Sequence, residues 1–413
     1  MIASSSNNAG NGATNLIEVK GGLGAVPGLK LAGVHAAIKK RKLDLALVVF
    51  DAPQVCASVI TTNEIKAAPL LVTNEHLAQS GERMRALVCN SGCANACTGA
   101  HGERDARATA RQAAALLGLE PTQVVVASTG VIGVYLPMDR VAKGLERAAK
   151  DLDDGPEASY DAAEAIMTTD RVPKLSAYAF YDGKRRYVVG GIAKGSGMIA
   201  PNLATMLAFI ATDAPLARAS LQAELAEACE DSFNMISVDG DMSTNDAVYA
   251  FAPAPKGGEA AAPHGFREAL RAVAHELAIA MVRDGEGATK TLTIEVTGAR
   301  DKAQARAIAR AVVNSSLVKT AFHGEDPNWG RIIAAAGSVH AGLDPESWSI
   351  ALNSKTWVER GALEVLSEAE AHRELEGTNV TVTLDLGMGS ASATAWGCDL
   401  SRDYVRINAH YRT

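Results

Sequence analysis

Residues 187–214 read YVVGGIAKGSGMIAPNLATMLAFIATDA. Two apolar stretches in this segment, YVVGGIAK at 187–194 and LATMLAFIATDA at 203–214, are rich in β-branched residues and predict two strands. Between them, residues 195–201 contain two glycines and end in a proline, which is typical of a loop. The segment therefore predicts a strand, a sharp glycine-rich connection and a second strand.

The rest of the chain mixes strands and helices without a steady alternation. Short apolar runs predict further strands at 45–50, 86–90, 124–128, 291–298 and 379–386. Helical spacing predicts helices at 103–119, 138–152, 215–229, 266–282 and 303–313, with a short one after Asn328. Because strands do not alternate regularly with helices, we predict an α+β fold in which sheets and helices form a layered sandwich.

The chain is too long for one compact core. Its 413 residues predict at least two domains. We predict a disordered tail over 1–18, a catalytic α+β domain over 19–282, and a smaller C-terminal α/β domain over 283–413. The last boundary follows from the charged turn RDGEGATK, which precedes the alternating strand TLTIEVTG. The proline- and glycine-rich stretch 252–265 is predicted to be a surface insertion.

Composition excludes several classes of function. The net charge of -7 argues against a nucleic-acid partner, because neutralising phosphates requires a basic face. No apolar run approaches the roughly 20 residues of a membrane span, and the polar first residues do not resemble a secretory signal. Six cysteines in a chain of this length are not typical of a disulfide scaffold. These features predict a cytoplasmic protein with no membrane partner.

One cysteine-rich stretch invites a metal-site interpretation. Cys89, Cys93 and Cys97 recur at four-residue steps, and His101 is the obvious additional ligand. The spacing matches no common zinc pattern, so we predict buried thiols and no metal.

Two further segments have alternative interpretations. Gly195, Gly197 and Ala200 fit the pattern G-x-G-x-x-A of dinucleotide sites, but a proline and an asparagine interrupt the helix that a pyrophosphate would require. The stretch VDGDMSTND at 238–246 contains several acids, but its spacing fits no EF-hand. Tight turns explain its Asp and Asn residues more simply.

Thr205 lies where the glycine-rich loop meets the second strand. A threonine in a strand usually has only a conformational role. A nucleophilic threonine requires a base, and a chain-terminal amine can serve because its pKa of about 7.7–8.0 leaves part of it neutral. An internal threonine acquires such an amine only when the bond before it is broken.

A second loop can supply hydrogen-bond donors. The segment ASTGVIG at 127–133 follows a predicted strand and offers a hydroxyl at Thr129 and a flexible backbone at Gly130. Such a bend can direct N–H and O–H groups at an oxyanion, although an ordinary turn has the same composition.

Several long motifs together resemble one family. KGSGMIAPNLATMLAFIATDA, NMISVDGDMSTNDAV, GEDPNWGRIIAAAGSV and ATAWGCDLSRDYVRINAHYRT are similar to motifs of the ornithine acetyltransferase (glutamate N-acetyltransferase) family of arginine biosynthesis. FDAPQVCASVITTNEIKAAPL and ASTGVIGVYLPMDRV strengthen the resemblance. It extends from about residue 19 to the end of the chain.

The resemblance implies a self-processing enzyme. Members of this family cleave themselves between the residues that match Ala204 and Thr205, and the freed threonine carries acetyl from N-acetylornithine to glutamate. The two resulting chains are expected to associate as two alpha and two beta chains. No cofactor is implied, and the resemblance leaves open whether acetyl-CoA is also a donor.

The resemblance also assigns residues to the site. Thr129 and Gly130 match the oxyanion pair, and Thr205 matches the nucleophile. The substrate contacts correspond to Thr168, Lys194, Thr205, Glu286, Asn408 and Thr413. Thr169 is an alternative to Thr168. We further predict that the apolar side chains of the C-terminal stretch 401–413 dock it against the core.

The sequence departs from the family pattern at Cys93, Met388 and Ser390. These differences leave the nucleophile and its donors intact and affect loop packing or subunit contacts. Two alternative functions remain: a related self-processing aminopeptidase with an N-terminal nucleophile, and a binding protein of the same fold that never cleaves.

Overall fold

A computed structural model describes residues 15–200, 206–257, 261–360 and 363–410 of the chain. Residues 1–14 of the predicted tail, together with Ala204, Thr205 and Thr413, lie outside these ranges. The predicted end of the tail at residue 18 was wrong, because Ile17 and Glu18 form a strand that pairs with residues 178–179. The fold is α+β and consists of two mixed sheets with helices packed against them.

The first sheet has the strand order β1-β6-β7-β8-β10-β3-β4-β5, and β2 also pairs with β3. Its strands are β1 (Ile17–Glu18), β2 (Leu29–Val34), β3 (Leu45–Ile60), β4 (Met84–Cys93), β5 (Val124–Val131), β6 (Lys174–Asp182), β7 (Arg185–Lys194), β8 (Leu207–Thr212) and β10 (Ala247–Pro253). The β4–β5 and β8–β10 pairs are parallel and the other pairs are antiparallel.

Both faces of this sheet are buried. Alternate residues of β8 belong to different core clusters, because successive side chains of a strand point to opposite faces. Ala208 and Ile210 pack with helices α5 (Arg218–Glu230) and α6 (Phe266–Arg283). Leu207 and Phe209 pack instead with residues of β3, β4 and β5. One apolar core therefore lies on the face of the sheet that α5 and α6 cover, and another lies on the opposite face. Four further helices belong to this part of the chain: α1 (Ala68–Ser80), α2 (Gly99–Leu117), α3 (Met138–Lys150) and α4 (Pro156–Ala165).

The second sheet has the order β14-β13-β12-β15-β11-β16-β9. Its strands are β9 (Ile236–Ser237), β11 (Thr291–Ala299), β12 (Ser349–Leu352), β13 (Lys355–Glu359), β14 (Leu363–Glu364), β15 (Asn379–Asp385) and β16 (Ala391–Cys398). The helices described after β11 are α7 (Lys302–Asn314), α8 (Ser316–His323), α9 (Trp329–Gly337), α10 (Glu368–Leu375) and α11 (Arg402–Ala409). Residues of α7 pack on β11 in a third apolar cluster.

The predicted α+β class is confirmed. The division of domains at residue 283 stays a prediction. Helix α6 ends at Arg283 and the next strand begins at Thr291, but β9 precedes that boundary and pairs with β16 in the second sheet.

Several predicted boundaries were wrong. The strand predicted at 203–214 is described only over Leu207–Thr212. Helix α2 begins at Gly99 rather than 103, and α5 begins at Arg218 rather than 215. The predicted insertion at 252–265 was wrong at its start, because Ala252 and Pro253 continue β10 and pair with β3.

No helix in the described ranges is long and apolar enough to cross a membrane.

Candidate active site

A cavity of about 240 Å³ lies where several loops of the first sheet meet the C-terminal helix. Its walls come from the end of β5, the loop before β6, the glycine-rich loop after β7, the loop before β10, the loop after α6, and α11. They comprise Ala94, Thr129, Gly130, Val131, Ile132, Thr168, Thr169, Gly197, Met198, Ser243, Asn245, Glu286 and Asn408. Five of the residues assigned from the family resemblance, and Thr169 as the alternative to Thr168, thus line one cavity.

Gly130 shows why the segment 127–133, which is predicted to supply oxyanion donors, contains a glycine. Its φ is 132°, a region that favours glycine. An added Cβ would lie 2.4 Å from the carbonyl carbon of Gly92 on the paired strand β4. Any larger residue would therefore push β4 and β5 apart at the cavity wall.

The Thr129 hydroxyl lies between the cavity and a buried cation. The Lys194 ammonium, at the end of β7, donates to Thr129 Oγ1 at 3.4 Å. Lys194 is 1% exposed, and it is not among the residues that line the cavity. Burial lowers the pKa of Lys194, and Asp170 opposes this shift.

Asp170 anchors the loops around that cation. One carboxylate oxygen accepts from Lys174 Nζ and from Gly195 N, both at 2.7 Å, and the other accepts from Thr168 N at 3.0 Å. Burial alone would raise the pKa of Asp170, but Lys194 and Lys174 hold it well below its usual range. The group is therefore a carboxylate at neutral pH.

The two candidate threonines of this loop differ in their contacts. Thr169 Oγ1 and Ser196 Oγ share a hydrogen bond of 2.8 Å. Within the part of the chain that the structure describes, the Thr168 hydroxyl makes no hydrogen bond. Both residues line the cavity, so the choice between Thr168 and Thr169 stays a prediction.

Glu286 and Asn408 form the opposite wall. Asn408 Nδ2 donates to Glu286 Oε2 at 2.7 Å, and Glu286 N donates to Ser196 O at 2.7 Å. Glu286 is 8% exposed. A Cβ added to Gly197 would lie 2.4 Å from the Glu286 carboxyl carbon. The glycine thus provides the space that the carboxylate occupies.

The C-terminal helix reaches the site through few side chains. Tyr404 Oη donates to Asp239 Oδ2 at 3.1 Å, and Ser401 Oγ donates to Gly287 O at 2.7 Å. The prediction that its apolar residues dock was wrong for Val405, which is 64% exposed. Tyr404 and Ile407 are half-buried, so the hydrogen bonds of Tyr404 and Ser401 are one part of what holds α11 in place. Thr413, also predicted to contact substrate, lies outside the described residues.

The proposed nucleophile and the residue before it also lie outside the described residues. The residue that follows, Met206, is buried, and its N–H donates to Asp246 Oδ1 at 2.9 Å. Asp246 directly follows Asn245, which lines the cavity. The described chain therefore resumes beside the cavity wall.

Sequence reasoning missed Asn245 and Asp246. We interpreted VDGDMSTND as turn residues, but Asn245 is 5% and Asp246 is 0% exposed. Burial raises the pKa of Asp246 well above its ordinary value, although the Met206 N–H and Lys194 oppose this. Their position directly before the apolar run AVYAFA was the available signal.

The cysteine-rich stretch has no described metal site. In the described ranges, no group of three or more His, Cys, Asp or Glu side chains could hold a metal ion. Burial raises the pKa of Cys89 to about 12 and also raises the pKa of Cys93. Cys97 is exposed.

Comparisons with known proteins bear on this site. The model of the ArgJ family matches residues 30–413. "Arginine biosynthesis bifunctional protein ArgJ" from Symbiobacterium thermophilum is 48% identical, over 95% of this chain and 99% of its own. The protein of the same name from Bacillus licheniformis is 42% identical, over 96% of this chain and 98% of its own.

A solved structure also matches part of the chain. It is that of ornithine acetyltransferase complexed with ornithine from Mycobacterium tuberculosis, which is 42% identical, covers 46% of this chain and 98% of its own, and has a TM-score of 0.42.

The extent of the sequence matches defines the class of protein. The chain is an acyltransferase of arginine biosynthesis. It belongs to the ArgJ family, which confirms the resemblance seen in its motifs.

Proposed function

We propose that this protein transfers acetyl from N-acetylornithine to glutamate through an acetyl ester on Thr205. The observation that carries the proposal is the cavity that brings Thr129, Gly130, Glu286 and Asn408 together. Met206, which is bonded to Thr205, is anchored beside the same wall. A nucleophile there would have oxyanion donors and substrate-binding groups within one small space.

The charges of the site suit an amino-acid substrate. An α-amino acid presents a carboxylate and an ammonium, which pair with a cation and an anion respectively. We assign Glu286, which lines the cavity, to the ammonium. Lys194 lies behind the Thr129 hydroxyl, outside the cavity lining, so we assign it to the carboxylate through its charge rather than through direct contact. Asn408 both donates and accepts hydrogen bonds and already contacts Glu286. The volume of about 240 Å³ suits one amino-acid substrate at a time, as alternating half-reactions require.

In the first half-reaction, Thr205 Oγ attacks the acetyl carbonyl carbon while its proton passes to the Thr205 α-amine. The carbonyl electrons move onto the oxygen, where Thr129 and the Gly130 backbone stabilise the charge. The carbon–nitrogen bond then breaks, the nitrogen takes the proton, and ornithine leaves. In the second, the amine of glutamate attacks the ester carbonyl carbon, the bond from that carbon to Thr205 Oγ breaks, and the proton lost by the amine passes to the threonine oxygen.

The free α-amine requires self-cleavage. The Thr205 oxygen attacks the Ala204 carbonyl carbon, the bond to the Thr205 nitrogen breaks, and that nitrogen takes up the proton released by the hydroxyl. Water then hydrolyses the ester, which leaves a carboxylate on Ala204 and a free amine and hydroxyl on Thr205.

Three further features belong to the proposal. The name "bifunctional protein" of the relatives supports acetyl-CoA as a second donor for N-acetylglutamate synthesis. The two chains produced by cleavage remain associated, as two alpha and two beta chains, and the enzyme acts in the cytoplasm without another cofactor. The aminopeptidase and binding-protein alternatives have no specific structural observation in their favour.

A donor and acceptor screen tests the reaction. Purified protein is incubated with N-acetylornithine, with and without glutamate, and ornithine, N-acetylglutamate and acetate are measured. We expect ornithine and N-acetylglutamate in equal amounts and parallel-line, ping-pong kinetics. Release of acetate at the same rate with and without glutamate would identify a hydrolase instead.

A further inference from the structure

We infer that Asn245 and Asp246 are positioning residues, which hold the oxyanion loop and the start of β8 in a fixed relation to each other. The inference rests on the proposed function, since it names residues that keep the same site in register. Neither residue is among those that we assign to the chemistry.

Asn245 holds the oxyanion side of the cavity. Its Nδ2 donates to Ala94 O at 2.7 Å and to Ser128 O at 2.8 Å, which are 151 and 117 residues away in the chain. Ser128 directly precedes Thr129. Both amide protons are therefore used on backbone carbonyls of the cavity wall, and a local turn residue would have no such distant partners.

The orientation of this amide is determined by its surroundings. Both carbonyl partners can only accept, so the NH₂ group must face them. Asn245 Oδ1 accepts from Thr244 Oγ1 at 2.6 Å. The Ala94 backbone is itself paired, since Ala94 N donates to Val131 O at 3.0 Å. One side chain thus joins the ends of β4 and β5 at the oxyanion pair.

Asp246 holds the other side. Its Oδ1 accepts from Met206 N at 2.9 Å, and its backbone oxygen accepts from Thr61 N at 2.9 Å. Directly after it, Ala247 N donates to Met206 O at 3.2 Å, and Ala247 pairs in parallel with Leu207. Side chain and backbone together fix where β8 begins.

The two residues are consecutive, so the two anchors cannot move independently. Rate enhancement depends on the distance between a nucleophile and its oxyanion donors, and a displacement of about 1 Å can cost about a hundredfold in rate. Among the described residues, the remaining oxygen of Asp246 is buried without a hydrogen-bond partner. Burying an oxygen without a hydrogen-bond partner costs free energy. Such an oxygen is more typical of a functional site than of a simple turn.

Asn245→Asp is the first test, because it preserves shape and removes both donated hydrogen bonds. The matched control is Asn353→Asp. Asn353 Nδ2 donates to Glu374 O at 2.9 Å, and its Oδ1 accepts from Thr381 N, so this side chain joins α10 to the second sheet, away from the cavity. We expect Asn245→Asp to lower kcat of the processed enzyme about a hundredfold, with KM within about threefold. The control should keep kcat near that of the wild type.

Asp246 supplies the second test, which remains informative if Asn245→Asp does not fold. Asp246→Asn retains an oxygen that can accept from Met206 N–H, and Asp246→Ala does not. We expect Asp246→Asn to keep kcat at least about tenfold above that of Asp246→Ala.

The outcomes separate the inference from the proposed function. If the wild type transfers no acetyl from N-acetylornithine, the proposed function fails, and the rate of self-cleavage still reports the effect of both substitutions. If the wild type transfers acetyl and folded Asn245→Asp does so with unchanged kcat, only the inference fails. Equal kcat values for Asp246→Asn and Asp246→Ala would also overturn it.

Discussion

Thr129 combines two contacts in a single hydroxyl. The hydroxyl oxygen accepts a hydrogen bond from buried Lys194, and Thr129 lines the cavity beside Gly130. An acceptor bond from a cation strengthens the hydroxyl as a donor. This arrangement favours an oxyanion role over that of an ordinary turn.

Thr129→Ala should therefore lower the rate of acyl transfer by roughly two to three orders of magnitude, as loss of one oxyanion donor does. Thr129→Ser, which keeps the hydroxyl, is the matched control and should retain most of the activity. Rates must be measured per mole of cleaved protein, because the substitution can slow maturation too. Normal turnover of processed Thr129→Ala would show that the loop is only a turn.

The lowered pKa of Asp170 predicts that the stability of the folded protein depends on pH. Its pKa is held well below its usual range in the folded protein, whereas an unfolded Asp has a pKa of about 3.9. Unfolding at acidic pH therefore takes up a proton. The stabilisation by this group is present above about pH 4 and is lost as the pH falls through the lowered value.

The difference in unfolding free energy between wild type and Asp170→Asn should then be several kcal/mol at pH 7, because a buried Lys174 loses one of its two carboxylate partners. That difference should shrink below about pH 4. Urea unfolding at both pH values measures it. A difference that stays the same or grows at acidic pH would contradict this account.

Individual residues also show what the sequence could predict. Thr129, Gly130, Glu286 and Asn408 were identified because they lie in recognisable motifs. Asn245 was missed because its partners lie more than a hundred residues away. The apolar run that follows Asn245 indicates burial, but no local pattern encodes the distant partners.

At the level of the elements, the glycine-rich loop after β7 and the C-terminal helix α11 approach the cavity from different parts of the chain. Glu286 is where they meet, with Gly197 on one side and Asn408 on the other. The strands and helices that were predicted followed from apolar periodicity, but several others, such as α1, β6 and β16, were not predicted. Their ends did not, because tertiary contacts decide where β8 and α2 begin.

Gly197→Ala tests the packing of this wall. The added methyl group would collide with the Glu286 carboxyl and displace it, so KM for N-acetylornithine should rise about tenfold or more, by loss of a charged contact. Gly337→Ala is the control, because a Cβ there meets no atom within 4 Å. Unchanged KM in Gly197→Ala would mean that Glu286 does not bind the substrate.

Deleting residues 408–413 tests the end of the chain. The deletion removes the hydrogen bond that Asn408 donates to Glu286, which should raise KM for N-acetylornithine. Self-cleavage should stay nearly normal, since cleavage requires no substrate. Both are measured on the same preparation. A truncated enzyme with unchanged kinetics would show that this segment does not contact the substrate.

At the level of the whole molecule, the proposed cut would divide the first sheet between two chains. Strand β7 would lie on one chain and its antiparallel partner β8 on the other. Strand β3 is likewise separated from its partner β10. The α+β class could be predicted from the order of elements. The pairing of β9 with β16 could not, because two residues carry too little pattern.

The two fragments should therefore remain bound without a covalent link. Gel filtration of cleaved protein should give one species that contains both chains, and only denaturant should separate them, because separation exposes the apolar cores on both faces of the sheet. Spontaneous dissociation in native buffer would contradict the shared sheet.

The central claim is that Thr205, freed by self-cleavage, carries the acetyl group. Intact-mass and peptide analysis of protein mixed with N-acetylornithine, without glutamate, tests it most directly. We predict a fragment that begins at Thr205 and gains the mass of one acetyl group on that residue, which is lost when glutamate is added, whereas Thr205→Ala remains one unmodified chain. An uncut wild type, or acetyl found only on another residue, would contradict the account.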